Sequence, residues 1–520
     1  MPAEAILRVW CRSGGSPAYS ANDPRSSAQG RAHAHEPSYG HPPMLPALPP
    51  NWLIAVVEHP ERYSRRYEPS PPADSPKGPG MTELSVIEIC AGAGGQALGL
   101  ERAGFEHKLA VELDPTAAAT IRLNRPEWKV EVGDVADLEV FNPAAFAPDA
   151  EGLDGRPIDL LAGGVPCPPF SIAGKQLGAN DERDLFAWAV EQVAIIKPRA
   201  LLLENVRGLS MPRFAGYRQH VLDRLREFGY SAEWRLIQAS DFGVPQLRPR
   251  FVLVAMQTGD FEYFSWPAPV GEPPTVGETL LDLMQENGWD KAEEWARKAN
   301  RIAPTIVGGS KKHGGADLGP TRAKQAWAEL GVDAYGVHDT APPYAKRPMT
   351  EYGPKLTVEM VARLQGWMYV RDSDSDGSSD RLKHEFAWRF TGGKTAQYRQ
   401  IGNAFPPPVA KAIGSAIAAA LRHEAPRRER DLRPSADPVY IALRESGEFM
   451  SAAQISAASG LELDDPEVDR RISLLSRDFE ILKEEHSSGL KYKLGAFRAF
   501  TGQDDHARHE YYRKNLSRVS

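Results

Sequence analysis

A chain of 520 residues exceeds what one compact core usually absorbs, so a large domain with at least one satellite and linkers is expected. Apolar residues at 42% and charged ones at 25% exclude global disorder, and a net charge of -7 argues against a uniformly basic nucleic-acid binder while leaving room for a local basic groove. Three cysteines, Cys11, Cys90 and Cys167, lie far apart without CxxC spacing, which argues against a disulfide framework or structural zinc site and suits a reducing cytoplasm.

Residues 1–80 are rich in Pro, Ser, Gly and Ala, in runs such as Ser70-Pro-Pro-Ala-Asp, and read as a disordered leader. Met81 stands just before the first strong strand, so a mis-assigned start is an alternative to a functional tail. The N-terminus lacks the charged-then-apolar order of a secretory signal, and no stretch is expected to be long and apolar enough to span a bilayer.

From Ser85 apolar strands alternate with amphipathic helices: Val86-Ile-Glu-Ile, Leu109-Ala-Val-Glu, Ile158-Asp-Leu-Leu-Ala, Ala200-Leu-Leu-Leu-Glu and Phe251-Val-Leu-Val-Ala. This rhythm predicts a doubly wound α/β core with a mostly parallel sheet over residues 81–260. Residues 261–355 break into Pro/Gly-rich segments with aromatic and basic residues, including Trp266, Lys311, Lys312, His313, Arg322 and Lys324, as expected of an inserted recognition module. Core-like sequence returns over 356–424, and a charged linker follows at 425–437. Residues 438–500 read as three short helices and a hairpin, a small winged-helix-like α+β unit, before a tail at 501–520. The helix starting at Pro466-Glu-Val-Asp-Arg-Arg carries as many acids as bases, so a packing module competes evenly with a DNA reader.

The first strand ends in Cys90-Ala-Gly92-Ala-Gly94-Gly95, where glycines let the backbone pass beneath a nucleotide-like ligand. Glu112, ending the second strand, can accept both hydroxyls of a ribose. Gly92, Gly94 and Ala97 also satisfy the relaxed dinucleotide fingerprint, so an NAD or FAD enzyme competes at this point. Asp134 could accept from an adenine amine or cap a helix.

The fourth strand runs into Gly163-Gly-Val-Pro-Cys167-Pro-Pro-Phe-Ser171, placing one cysteine in a proline-bracketed loop at the carboxyl end of the sheet, where open α/β folds bind ligands. Lone cysteines are usually buried filler, yet the prolines specify one backbone path, as a nucleophile requires. The next strand ends in Leu203-Glu204-Asn205-Val206, delivering a carboxylate to the same edge or merely a helix cap. Arg248 and Arg250 alternate just before another buried strand, in Gln246-Leu-Arg248-Pro-Arg250, where a solvated strand edge is the bland alternative.

Together with Arg363-Leu-Gln-Gly-Trp and Gln400-Ile-Gly-Asn403-Ala, these stretches closely resemble the DNA cytosine-5 methyltransferases of bacterial restriction-modification systems, in that family's motif order from 87 to about 413. The resemblance implies transfer of a methyl group from S-adenosylmethionine to C5 of a flipped-out cytosine in duplex DNA, without a metal. Cys167 would add to C6, Glu204 would engage N3 and the exocyclic amine, and Arg250, helped by Arg248, would hold the O2 side. Gly92, Gly94 and Gly95 would pass under methionine and ribose, Glu112 would take the ribose, Asp134 the adenine, and Asn403 would complete the cofactor pocket. Residues 171–180 resemble the loop that closes over the base. Many members have Phe where this chain has Cys90, and Gln where it has Pro168, so altered affinity or loop behaviour is expected rather than lost chemistry. Ala303-Pro-Thr-Ile-Val-Gly-Gly-Ser-Lys-Lys-His-Gly-Gly-Ala-Asp resembles the target-recognition region of modification enzymes, which favours DNA over the tRNA-modifying relatives. A non-enzymatic DNA-binding regulator is the reading from another class. Expected partners are double-stranded DNA and a separately acting restriction endonuclease, with no membrane; the expected location is the bacterial cytoplasm, at the nucleoid.

Overall fold

A computed structural model describes residues 83–152, 155–165, 185–309, 315–344, 348–374, 379–428, 437–476, 478–486 and 489–497. Cys167, the loop over 171–180, Lys311, Lys312, His313, the leader and the tail lie outside the described residues.

The first lobe runs β1 (Leu84–Ile89), α1 (Gly95–Arg102), β2 (Phe105–Glu112), α2 (Pro115–Asn124), β3 (Val130–Val132), β4 (Leu160–Gly164), α3 (Leu185–Ile196), β5 (Ala200–Val206), α4 (Ala215–Glu227), β6 (Tyr230–Gln238) and β7 (Pro249–Gln257). Its seven strands form one sheet in the order β3-β2-β1-β4-β5-β7-β6. β1 to β5 are parallel, and β7 runs against both its neighbours. Apolar runs such as Ala200-Leu-Leu-Leu are buried throughout, as strands covered on both faces must be. One face packs on α3 and α4 through Trp188, Val193, Tyr217 and Leu225. The other takes Val409, Ile413 and Ile417 of a later helix. β6 lacks a continuous apolar run because it is an edge strand with its middle exposed, so hydrophobic pattern alone does not announce it.

Next come α5 (Thr258–Phe261), α6 (Val276–Gln285), α7 (Ala292–Lys298), α8 (Thr321–Glu329), α9 (Val358–Leu364), β8 (Met368–Tyr369), β9 (Ala387–Trp388), α10 (Lys394–Asn403) and α11 (Pro407–Leu421). Leu280, Trp295 and Trp327 from the 261–355 segment share one core with Leu364, Trp388 and Tyr398 from the returning segment. Ala93 and Leu98, from the turn after β1 and from α1, enter the same core. The two segments therefore form one lobe built against the start of α1.

One sequence expectation is corrected: Lys394–Leu421 does have the length and apolar composition to cross a bilayer. It is two helices, broken at Ala404–Pro406, and 67% of its most apolar window is buried inside the protein. Its hydrophobicity serves the core between α1 and the sheet. α12 (Pro438–Ser446), β10 (Met450–Ser451), α13 (Ala452–Ser459), α14 (Asp465–Leu475), β11 (Phe479–His486) and β12 (Gly489–Phe497) complete the described chain. They enclose a small core of their own, with an antiparallel sheet in the order β10-β12-β11.

The closest helix approach in the first lobe is at Gly99 of α1. A Cβ there would lie 2.4 Å from the Ala410 Cβ and 2.6 Å from the Pro407 carbonyl oxygen of α11. Gly99→Leu must separate two helices that the cavity described below depends on, and should cost about 1–3 kcal/mol, lowering Tm by a few degrees. Gly259→Ala, with nothing within 4 Å, should leave Tm unchanged. Scanning calorimetry of the two variants checks this.

Candidate active site

The strand order reverses between β1 and β4, and the loops leaving their carboxyl ends open a crevice where ligands bind in open α/β sheets. β1 turns into α1 through Cys90 (φ 52) and Gly92 (φ 57), both left-handed. Such a conformation in a non-glycine residue is uncommon and concentrates at functional turns. The Gly92 N–H donates to Glu112 Oε2 at 2.7 Å and the Asp114 N–H to Oε1 at 2.8 Å, so one carboxylate ties the turn after β1 to the end of β2.

The three expected glycines divide their work. A Cβ on Gly94 (φ 90) would strike Trp388 at 2.8 Å, and one on Gly95 the Phe405 carbonyl oxygen at 2.4 Å. Both are required by packing against the second lobe. Gly92 alone of the three has nothing within 4 Å of that position, and it borders the cavity.

That cavity, of ≈ 650 Å³, is lined by Gly92, Glu112, Asp134, Glu204, Arg250 and Asn403, which the fold brings together from widely separated segments. The size is in the range of small-molecule sites. Asp134 Oδ1 accepts from the Ala136 N–H at 3.0 Å, closing a turn rather than capping a helix, and the residue borders the cavity. Asn403 Nδ2 donates to the Gly309 carbonyl at 3.2 Å, so the cavity wall includes the end of the segment over 305–309, which sequence reasoning had reserved for target recognition.

Among the lining residues not singled out from sequence, two are buried and polar. Glu88, in the apolar β1, is fully buried, with Oε2 3.1 Å from His107 Nε2, and His107 stacks on Trp128 at 3.9 Å. Burial pushes the Glu88 carboxyl well above its ordinary range and drives the His107 imidazole down to about 3, so both groups are biased away from their charged forms. An acid inside an apolar strand was the available signal. Gln96 is 3% exposed, and among the described residues neither side-chain amide atom has a hydrogen-bond partner. Unsatisfied buried amides are costly, which points to a polar ligand completing them.

Glu204 and Arg250 stand on adjacent strands, β5 and β7, with Arg250 Nε 2.5 Å from Glu204 Oε1. Burial pushes the Glu204 carboxyl up from its ordinary value, opposed by the charges of Arg250 and Arg248. β4 pairs in register with β5, Gly164 opposite Glu204, so the segment leading to Cys167 leaves the sheet beside that carboxyl. Arg248 has a different task from the expected help to Arg250. It is fully buried and donates to the carbonyls of Ile306, Gly402 and Ala404, each at 2.8 Å. Gln246 works beside it, accepting from the Ile306 N–H at 2.9 Å and donating to Gln365 Oε1 at 2.5 Å. The Gln-x-Arg pair therefore joins the sheet to the second lobe, while Arg250 faces the cavity.

The residues present fit S-adenosylmethionine: the orphaned Gln96 amide, the open space at Gly92, and the Glu112 carboxylate all border one cavity. Residues 84–419 match the family described as C-5 cytosine-specific DNA methylase. The chain is 60% identical over 440 residues to the Type II methyltransferase M.NaeI of Lentzea aerocolonigenes, covering 85% of this chain and 100% of that one. It is 47% identical over 347 residues to the Type II methyltransferase M.NgoMIV of Neisseria gonorrhoeae, covering 66% of this chain and 99% of that one. A match over more than half the chain, in the segment that builds the cleft, makes this protein a member of the C-5 cytosine-specific DNA methylase family.

Proposed function

We propose that the cleft methylates C5 of a cytosine flipped out of a specific duplex DNA site, and that the enzyme is the modification half of a restriction-modification system. The observation that carries this reading is the pairing of buried Glu204 with partly buried Arg250 at the same sheet edge as the glycine turn and the exit of β4. The relatives named Type II methyltransferases support the biological setting, with a separate endonuclease as partner and the cytoplasm as location.

In this mechanism the Cys167 thiolate forms a bond to C6, and the displaced electron pair charges the ring along C5, C4 and N3. Stacked bases hide C6, so the base must leave the helix first. Burial raises the proton affinity of Glu204 against the charges of Arg250 and Arg248, so that its carboxyl can deliver a proton to N3, and the Arg250 guanidinium neutralises the O2 side. S-Adenosylmethionine supplies an electrophilic methyl group, and Glu112, Asp134, Asn403, Gly92 and Gln96 are the residues that would hold it. C5 takes the methyl as the bond from that methyl to the sulfonium sulfur breaks and leaves its electron pair on sulfur; loss of the C5 proton to solvent re-forms the C5–C6 double bond as the S–C6 bond breaks, N3 returns its proton to Glu204, and the Cys167 thiolate is restored.

Target reading is assigned to the 261–355 segment. It exposes Tyr335 and Tyr352, 6.2 Å apart, an aromatic surface on which bases can stack, while Lys324 beside the Tyr335 ring is paired with Asp317 at 2.7 Å. The C-terminal unit has the element order of a winged helix. Its α14, however, exposes Asp465, Asp469 and Arg470, and both Arg470 and Arg471 are paired with Glu467. A helix so neutralised has little attraction for phosphates, which counts against the regulator reading.

Three outcomes are expected. Labelled methyl from S-adenosylmethionine should enter duplex DNA as 5-methylcytosine and not tRNA, and Cys167→Ala should abolish it; label confined to tRNA would move the protein to the RNA branch. Glu204→Gln should lower kcat by about 10²–10⁴-fold. Because the folded carboxyl titrates above its ordinary range, wild-type kcat should fall as pH rises through that raised value, and a pH–rate profile of Glu204→Gln should lack this alkaline limb. Gln96→Leu should weaken binding of S-adenosylhomocysteine about tenfold or more in calorimetry, as loss of hydrogen bonds to a charged group does, while methylthioadenosine, without the amino-acid end, binds as before.

A further inference from the structure

Helix α4 begins a few residues beyond the Glu204–Asn205 strand end, and it carries two sets of contacts. Toward the C-terminal unit, the His220 ring stacks on Phe497 at 3.8 Å and meets Phe479 edge-on at 5.5 Å. Tyr217 lies 5.6 Å from Phe497, ring to ring. The Tyr440 hydroxyl donates to Asp223 at 3.0 Å, and Arg444 pairs with Asp223 and, at 2.9 Å, with Glu227. A Cβ on Gly216 would come within 2.7 Å of Leu475 Cδ2, so α4 and α14 approach as closely as a missing side chain allows. Burial drives the His220 imidazole down to about 3, so the ring is packed as a neutral aromatic. Toward the cleft, Arg218 donates to the carbonyls of Leu209 at 2.8 Å and Met211 at 2.9 Å. These carbonyls belong to the segment that leaves β5, in which Arg207 and Gly208 border the cavity together with Glu204 and Asn205.

We propose that the C-terminal unit is a brace of the catalytic lobe: docked on α4 through Gly216, His220 and Asp223, it holds the helix whose Arg218 positions the cavity-lining segment over 207–211. This rests on the cleft being the site of methyl transfer, and it makes Arg218 a positioning residue. The exposed acids of α14 agree with it, since a brace needs apolar and buried polar contacts on its docking side and nothing basic on the other. Asp478 of the same unit adds a favourable charge for the half-buried Arg218 guanidinium.

The test uses the full chain. Gly216→Leu is a wedge that improves the helix propensity of α4 and touches nothing in the cleft, and Leu475→Ala in the same chain returns the space. With the wedge alone, amides of residues 205–212 should exchange hydrogen about tenfold faster or more, kcat for DNA methylation should drop by a similar factor, and KM for S-adenosylmethionine should change less than about twofold. The double variant should recover both rates. Faster exchange across the α4–α14 contact with unchanged exchange over 205–212 would overturn the brace, as would an unaltered kcat in a detached unit. Should Gly216→Leu fail to fold, Tyr440→Phe removes a single hydroxyl from Asp223, and exchange over 205–212 should still rise several-fold; no change there also sinks the idea. A wild type inactive on DNA would remove the methylation reading alone, because the exchange comparison judges the brace without it.

Discussion

The cavity exists because one guanidinium is buried where two lobes meet. Arg248 gives its terminal nitrogens to the carbonyls of Ile306, Gly402 and Ala404, so β7, the 305–309 segment and the end of α10 converge on it. Taking such a charge out of water costs several kcal/mol, which only a complete set of partners offsets. Burial depresses its pKa and the nearby Glu204 carboxylate acts against that, which ties the strut electrically to the ion pair in the cleft. Gln246 extends the same joint to Leu364 and Gln365 at the end of α9. A motif of two polar side chains thus replaces what would otherwise be a hinge.

Around this joint the glycine turn is held from both directions. Glu112 fixes the Gly92 amide from the first lobe, and Trp388 donates its indole N–H to the Ala93 carbonyl at 2.9 Å from the second. Gly94 and Gly95 admit that approach, while Gly92 and Gly95 border the ligand space. The turn is therefore preorganised both by a residue that borders the cavity, Glu112, and by one that does not, Trp388, as tight placement of reacting groups requires.

Exclusion of water from the carboxyls of the cleft also shapes its chemistry. Glu88, Glu112 and Glu204 are all pushed toward the protonated form by burial, while Arg250 stays within 2.5 Å of Glu204. In such surroundings a proton donor and a fixed cation act more strongly on a polarised ring than they would in water.

Much of this was legible in the residue order. Buried parallel strands announce themselves as apolar runs, and residues at their carboxyl ends must share an edge, so Gly92, Glu112, Asp134, Glu204 and Arg250 could be named for one crevice from spacing and family motifs alone. Other assignments depended on direction, which periodicity does not carry. Arg248 and Arg250 look alike in sequence, and only the packed second lobe, with its bare carbonyls, decides that one is a strut and the other faces the cavity. Gln96 hides in the first turn of an ordinary helix, and β6 shows no apolar run because half of an edge strand faces water. The insert and the returning segment read as separate modules, since nothing local tells Trp327 that its neighbours will be Trp388 and Tyr398. Sequence by itself determined the chemistry and the edge on which it sits; tertiary structure decided the allocation of each polar group, because burial and hydrogen-bond completion are properties of neighbours that are remote along the chain.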